Sequence, residues 1–151
     1  LLVGVGAFDI DEMFGARLET ESICCRLACE RRGDDDLEAL RVEVALQRQP
    51  SLTDEEFCAS DVRFHRALVK AARNGPLSLM MYTVVEAFMP ITNMIVSHVR
   101  ERKRVAGFHA ALADAVEARR PGEAADGLAD LLAYLRETYG ASLAQRADRR
   151  S

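Results

Sequence analysis

Lysine is almost missing from this chain: of its 20 basic residues only Lys70 and Lys103 are lysines, the rest being arginine. That usage says more about GC-rich coding than about function. An excess of positive charge is missing too. A net charge of −4 and a pI near 5.4 argue against this chain gripping a nucleic-acid backbone by itself, because that takes a clustered basic face. The cysteines Cys24, Cys25, Cys29 and Cys58 form no C-x-x-C pair, so a zinc ribbon or a redox motif is excluded. Three of them share one predicted helix, on which neighbouring Cys24 and Cys25 point apart. Free, half-buried thiols in a reduced, cytoplasmic protein are therefore expected. The opening LLVGVGAF is apolar but short and lacks a basic leader, so it does not read as a signal peptide. Its Gly4 and Gly6 open none of the βαβ unit that a dinucleotide fingerprint requires. Strand signals are nearly absent. So are H-E-x-x-H, G-x-S-x-G and any Glu three residues before a histidine, which removes the familiar zinc-peptidase, serine-hydrolase and di-iron patterns.

What is present suffices for one core. With 151 residues, 49% of them hydrophobic, the chain needs neither disulfide nor metal merely to fold. Residues 1–151 read as one all-α domain, an antiparallel bundle of about six helices. The first helix is expected to open at Asp9 or Asp11 and run to Arg32, where Gly33 stops it. Asp34, Asp35 and Asp36 then cap a second helix from about Leu37 to Gln47. Thr53 with Glu56 makes a capping box for the third, which Asn74, Gly75 and Pro76 end. Arg100 to Arg104 read as a solvated turn, Val105 to Ala118 as the fifth helix, and Arg119 to Gly122 as the turn into the last. That final helix carries Leu128, Leu131, Leu132 and Leu135 before a polar, frayed tail.

The fourth helix is apolar for about twenty residues after Pro76 and holds a single charge, Glu86. A membrane span would look like this, but Glu86, Pro90, Thr92 and Asn93 lie within it and no second hydrophobic segment accompanies it. It reads as a buried central helix kinked at Pro90. Tyr82, Glu86, Asn93 and Ser97 fall at offsets 0, 4, 11 and 15, which is one helical stripe. Unpaired buried polar groups cost ~1–3 kcal/mol each, so the stripe either pairs internally, meets a partner subunit, or lines a polar cavity. Met80, Met81, Val84, Val85 and Phe88 offer more apolar surface than one core absorbs, and a homodimer is expected.

Chemistry is concentrated in ASDVRFHRALVKAARNGPL, Ala59 to Leu77. Residues four apart lie one above the other on a helix, so Asp61 and His65 can grip one ion. Phe64, Leu68 and Val69 put His65 beside the core. His109, Leu112 and Val116, at 0, 3 and 7, likewise place His109 on an apolar face.

Taken in order, R-L-E at Arg17, Leu18 and Glu19, D-x-x-F-H-x-x-L from Asp61 to Leu68, A-x-x-N from Ala71 to Asn74, and H-x-x-L-x-x-A-V from His109 to Val116 form a recognisable series. Over nearly its full length the chain resembles the FCD effector domain of GntR-family bacterial transcription regulators. The resemblance implies a helical domain that dimerises and binds a small effector, commonly an organic acid. It also implies that operator DNA is bound only through an N-terminal winged helix-turn-helix domain that this chain does not contain. Many such domains hold a divalent metal through the D-x-x-x-H pair, a histidine on the penultimate helix and another on the last. Carried over, the first three are Asp61, His65 and His109. The last helix has no histidine, and the fourth slot falls at Tyr134 or, on a shifted register, Leu131. Three protein ligands plus water or an effector carboxylate suit Zn²⁺, and imidazole also suits Ni²⁺. Cys58, one turn before Asp61, is a poorer substitute ligand, and His98 is expected to face solvent. Arg17 is assigned to an effector carboxylate, with Tyr82, Glu86, Asn93 and Tyr134 as further effector contacts, and Asn74 as a helix stop.

The expected function is thus a non-catalytic, ligand-sensing and dimerising domain, in which effector binding favours one arrangement of two DNA-reading heads. No membrane is involved. The rival expectation is a small helical metal-dependent enzyme.

Overall fold

A computed structural model describes residues 9–148, with side chains described through residue 145. The LLVGVGAF opening and the last three residues of the tail lie outside the described residues. Helix α1 (Ile10–Arg31) starts on a capping box, the Asp9 carboxylate accepting from the Asp11 N–H while Glu12 reaches back to the Asp9 N–H. Helix α2 (Asp34–Gln47) begins earlier than the expected Leu37. Gly33 serves as its N-cap, and the Asp36 carboxylate accepts from the Gly33 N–H at 2.9 Å, so the acidic triplet forms the first turn instead of preceding it. Helix α3 (Asp54–Ala71) opens on the expected Thr53–Glu56 box. Arg73, at φ 48°, then turns the chain, and Asn74 does not stop α3: its side chain caps the next helix, accepting from the Leu77 N–H at 3.1 Å.

The long apolar segment is α4 (Gly75–Thr83), a π turn (Val84–Phe88) and α5 (Met89–Val96) in unbroken succession. In the π turn the Met89 N–H reaches the Val84 carbonyl, five residues back. Pro90 explains it: proline lacks an N–H and crowds the carbonyl four residues earlier, and widening the preceding turn relieves both. Gly75–Val96 is long and apolar enough to cross a membrane by composition, which is weak evidence of a span. Nor is it the buried central helix expected, because it lies on one side of the bundle. Met81, Val85, Phe88 and Met89 face inward, whereas Leu79 is 76% and Met94 68% exposed.

Helices α6 (Arg102–Glu117) and α7 (Pro121–Asp148) complete six continuous helical segments among the described residues, α4 to α5 counting as one, with no strand. Helix α1 packs against α7 and α3, α2 sits on α3 and α6, α6 lies along α7, and α4–α5 cover the remaining side of α3. The main core joins Phe14, Phe57, Phe64, Leu40, Leu112 and Leu128, and a second one unites Cys24, Val69, Leu77, Met81 and Met89. All four cysteines are free, and Cys24, Cys25 and Cys29 are buried outright, more deeply than expected. Burial pushes the Cys24 thiol up to about 12, so it stays protonated packing material.

A candidate metal centre between four helices

Helix α3 packs against α2 and α1 and, on its other side, against α5, so its inward stripe carries polar residues into a fully enclosed place. Asp61 and His65, one turn apart on that stripe, are both buried, and His109 enters from α6. The His109 ring stacks on Phe64, 4.3 Å between centroids and 22° between planes, which fixes its tilt. Asp61 Oδ1 lies 3.2 Å from His109 Nε2 and 3.8 Å from His65 Nε2. One donor atom from each of the three residues falls within 4.8 Å of the others.

Each member is held from behind. His65 Nδ1 meets the buried Glu21 carboxylate, and Arg17 donates to Glu21 at 2.8 Å. Arg17 Nη2 also lies 3.3 Å from His65 Nε2, closing one side of the centre. Asn93 donates to Asp61 Oδ2 at 2.6 Å and accepts from Arg100 at 2.8 Å. His109 Nδ1 faces Gln47 Oε1 at 2.7 Å.

The charge states follow from these partners. Burial by itself would raise the Asp61 carboxyl, but His109, His65 and Arg100 together hold it far below the ordinary carboxylate range. Burial likewise opposes ionisation of Glu21, yet His65 and Arg17 draw its carboxyl down to about 2. The His109 imidazole goes down because burial penalises its cation, with Asp61 opposing. At neutral pH the centre therefore presents an Asp61 carboxylate beside a neutral His109, the states in which both ligate metal.

Asp61 Oδ1 and His109 Nε2 are the telling pair. Both are completely buried and neither has a hydrogen-bond partner, although they are neighbours. With Gln47 Oε1 accepting at its Nδ1, His109 presents Nε2 as an acceptor, and two acceptors facing each other in a dry interior are costly unless a cation or a proton lies between them. Two imidazole nitrogens and one carboxylate oxygen are a donor set for Zn²⁺ or Ni²⁺, so the residues present fit a divalent ion.

The structure brings together Asp61, His65, His109, Arg17 and Asn93, and leaves the other expected residues elsewhere. Tyr82 is 61% exposed, and Glu86 is bound bidentately by Arg66 at 2.7 Å on the surface. Both line an open groove of about 470 Å³ beside Lys70 and Arg73. The one-stripe expectation fails because the π turn adds a residue between Glu86 and Asn93 and rotates everything after it. Tyr134 does not supply a fourth ligand. Its hydroxyl accepts from the Glu101 N–H at 2.8 Å, and its ring carries the Arg104 guanidinium. Leu131 is aliphatic core. His98 is exposed as expected. Arg100, expected in solvent, is buried: its N–H still bonds the Val96 carbonyl, which keeps the helical turn and lays its side chain back over Asn93 and Cys58. Glu21 was missed, although its four-residue spacing from Arg17 was there to be seen.

The profile of the FCD domain matches residues 12–134. Among solved structures, Streptococcus agalactiae GntR superposes with a TM-score of 0.64 at 19% identity, over 90% of this chain and 64% of that one. At that identity the likeness concerns the fold, and the chain spans less than two thirds of that protein's length. No curated protein matches the sequence.

Proposed function

Since the chain belongs to the FCD domain family, we propose that it is the effector-sensing and dimerising domain of a GntR-family transcription regulator that acts in the cytoplasm. Its role is regulatory, and operator DNA is contacted by a winged-helix domain outside this chain. Asp61, His65 and His109 would hold a divalent metal, Zn²⁺ or Ni²⁺, which supplies a Lewis-acidic anchor for a carboxylate-bearing effector. Arg17 stands beside that anchor as the cation for a second effector oxygen, with Glu21 neutralising it until then. Asn93 orients the Asp61 carboxylate. The observation that carries the reading is the pair of partnerless buried atoms, Asp61 Oδ1 and His109 Nε2, in a cluster of ligand type.

Leu79, Met80 and Met94 supply the surface for a homodimer. Of the apolar residues expected to pair subunits, only Met80 is freely exposed, since Met81, Val85 and Phe88 are buried and Val84 half-buried.

Thermal unfolding with added Zn²⁺, then with Zn²⁺ plus a panel of small mono-, di- and tricarboxylates, tests the reading. Zn²⁺ should raise the unfolding temperature of the wild type and not of His65→Ala, and a carboxylate should add to the rise only when Zn²⁺ is present. Equal responses of the two proteins would remove the metal from the account.

A further inference from the structure

The polar chain behind His109 runs outward to solvent, and its direction is set at the outer end. Arg63, its side chain 42% exposed, donates to the two Glu43 oxygens at 2.7 and 3.0 Å. A carboxylate only accepts, so the Ser60 hydroxyl, 2.7 Å away, gives its one proton to Glu43. Ser60 Oγ is then left as an acceptor, and it accepts from Gln47 Nε2 at 3.0 Å. That settles the amide: Nε2 points to Ser60 and Oε1 points to His109 Nδ1 at 2.7 Å. Turned the other way, Oε1 would face a hydroxyl whose proton is already committed. Glu43, Gln47 and Ser60 are all buried, so water does not relax the constraint. Because an amide oxygen cannot donate, the proton sits on Nδ1 and the lone pair on Nε2.

The other two members of the centre obey the same rule. Arg17 anchors Glu21, which faces His65 Nδ1. Arg100 anchors Asn93, which donates to Asp61 Oδ2 and leaves Oδ1 bare. Three lines of hydrogen bonds, each starting on an arginine, thus end in three acceptor atoms directed at one place.

We propose that Gln47, Ser60 and Glu43 are positioning residues that lock His109 in its Nδ1–H tautomer and so present Nε2 as the metal-binding atom. The proposal rests on the metal reading above, but the tautomer is observable without metal. Long-range ¹H–¹⁵N spectra of the full chain, labelled in its imidazoles and stripped with chelator, should show His109 protonated at Nδ1. In Gln47→Met the acceptor is gone, and the proton should move to Nε2, where Asp61 Oδ1 waits 3.2 Å away. A proton on the ligating atom should weaken Zn²⁺ binding, measured by competition with a chromophoric chelator, by about 10–100-fold. Gln47→Glu, whose protonated carboxyl keeps a donor toward Ser60 Oγ and an acceptor oxygen toward Nδ1, should retain the tautomer and bring affinity back to within a few fold of wild type. Ser60→Ala, which frees the amide to turn over, should give a mixture of tautomers and a partial loss. A wild-type His109 protonated at Nε2 overturns the proposal, as does a Gln47→Met protein with unchanged tautomer and affinity. Should Gln47→Met not fold, the wild-type and Ser60→Ala spectra make the same decision. A wild type that binds no Zn²⁺ while showing the Nδ1–H tautomer refutes the metal reading and leaves the relay standing.

Discussion

Asp61→Asn separates a ligand from a structural ion-pair partner, because the two roles give losses of different size in the metal-free protein. The substitution keeps the shape and removes the charge. Its side-chain oxygen still accepts from Asn93, which turns the new NH₂ toward His109 Nε2, the atom that now has no partner. That adds one neutral hydrogen bond, worth ~0.5–1.5 kcal/mol. The lost attraction to Arg100, 4.0 Å from the carboxylate, is ~4 kcal/mol at an effective dielectric of about 20. Relief from holding an ion out of water returns part of that loss but not all of it, because the partners of Asp61 hold its carboxyl far below the ordinary range in spite of burial. The expected net change in metal-free stability is a loss of about 1–2 kcal/mol, or about 2–8 °C in Tm for a domain this size. Zn²⁺ behaves otherwise. At a hundred times its Kd it stabilises the wild type by about 2.7 kcal/mol, and this increment should vanish in the variant. Calorimetry with and without Zn²⁺ reads both quantities. A metal-free loss of more than ~3 kcal/mol would show Asp61 to be a buried structural partner, and an undiminished Zn²⁺ increment would refute its role as a ligand.

Acid should weaken both the fold and the metal site. Burial puts the folded-state pKa of His109 below 6.5, so the unfolded chain takes up a proton that the folded chain resists; stability is full above about 6.5 and falls as pH drops through the interval below it. Chemical denaturation from pH 7.5 to 5 should show the decline, and a flat profile would contradict a buried neutral imidazole. Leu79→Glu with Met80→Lys should shift the sedimentation of the domain from dimer to monomer at tens of micromolar while leaving its helical signal intact, and an unaltered dimer would place the interface elsewhere. Glu86→Gln breaks only a surface pair with Arg66, so stability should fall by no more than ~1 kcal/mol with no change in Zn²⁺ or carboxylate response; a ligand-specific effect would return the π turn to the effector site.

Some of the centre was legible in the amino-acid order because local periodicity alone places it. Asp61 and His65 are four apart between apolar neighbours, and His109 recurs with Leu112 and Val116, so helical phase turns all three inward. The helix starts at Asp9 and Thr53 were equally local, each resting on a capping residue and its third neighbour. What escaped depends on contacts between elements or on a break in the period. Glu21 matters only once α1 is laid on α3, and the R-L-E wording drew attention to Glu19, which is exposed. Arg100 belongs to a basic run that composition assigns to solvent, and only the retained last turn folds it inward. A constant 3.6-residue repeat groups Tyr82 and Glu86 with Asn93, but Pro90 and its π turn interrupt that repeat. Gly33 reads locally as the stop of α1, but it is also the cap of α2, and the second helix therefore starts sooner.

The central claim is that Asp61, His65 and His109 share one divalent ion, and anomalous diffraction at the zinc edge from crystals grown with Zn²⁺ tests it most directly. One strong anomalous peak per chain is expected among Asp61 Oδ1, His65 Nε2 and His109 Nε2, at about 2.0–2.2 Å from each, with Arg17 displaced from His65 Nε2 to make room. A centre without a peak in crystals saturated with zinc, with Arg17 still against His65 Nε2, would contradict it.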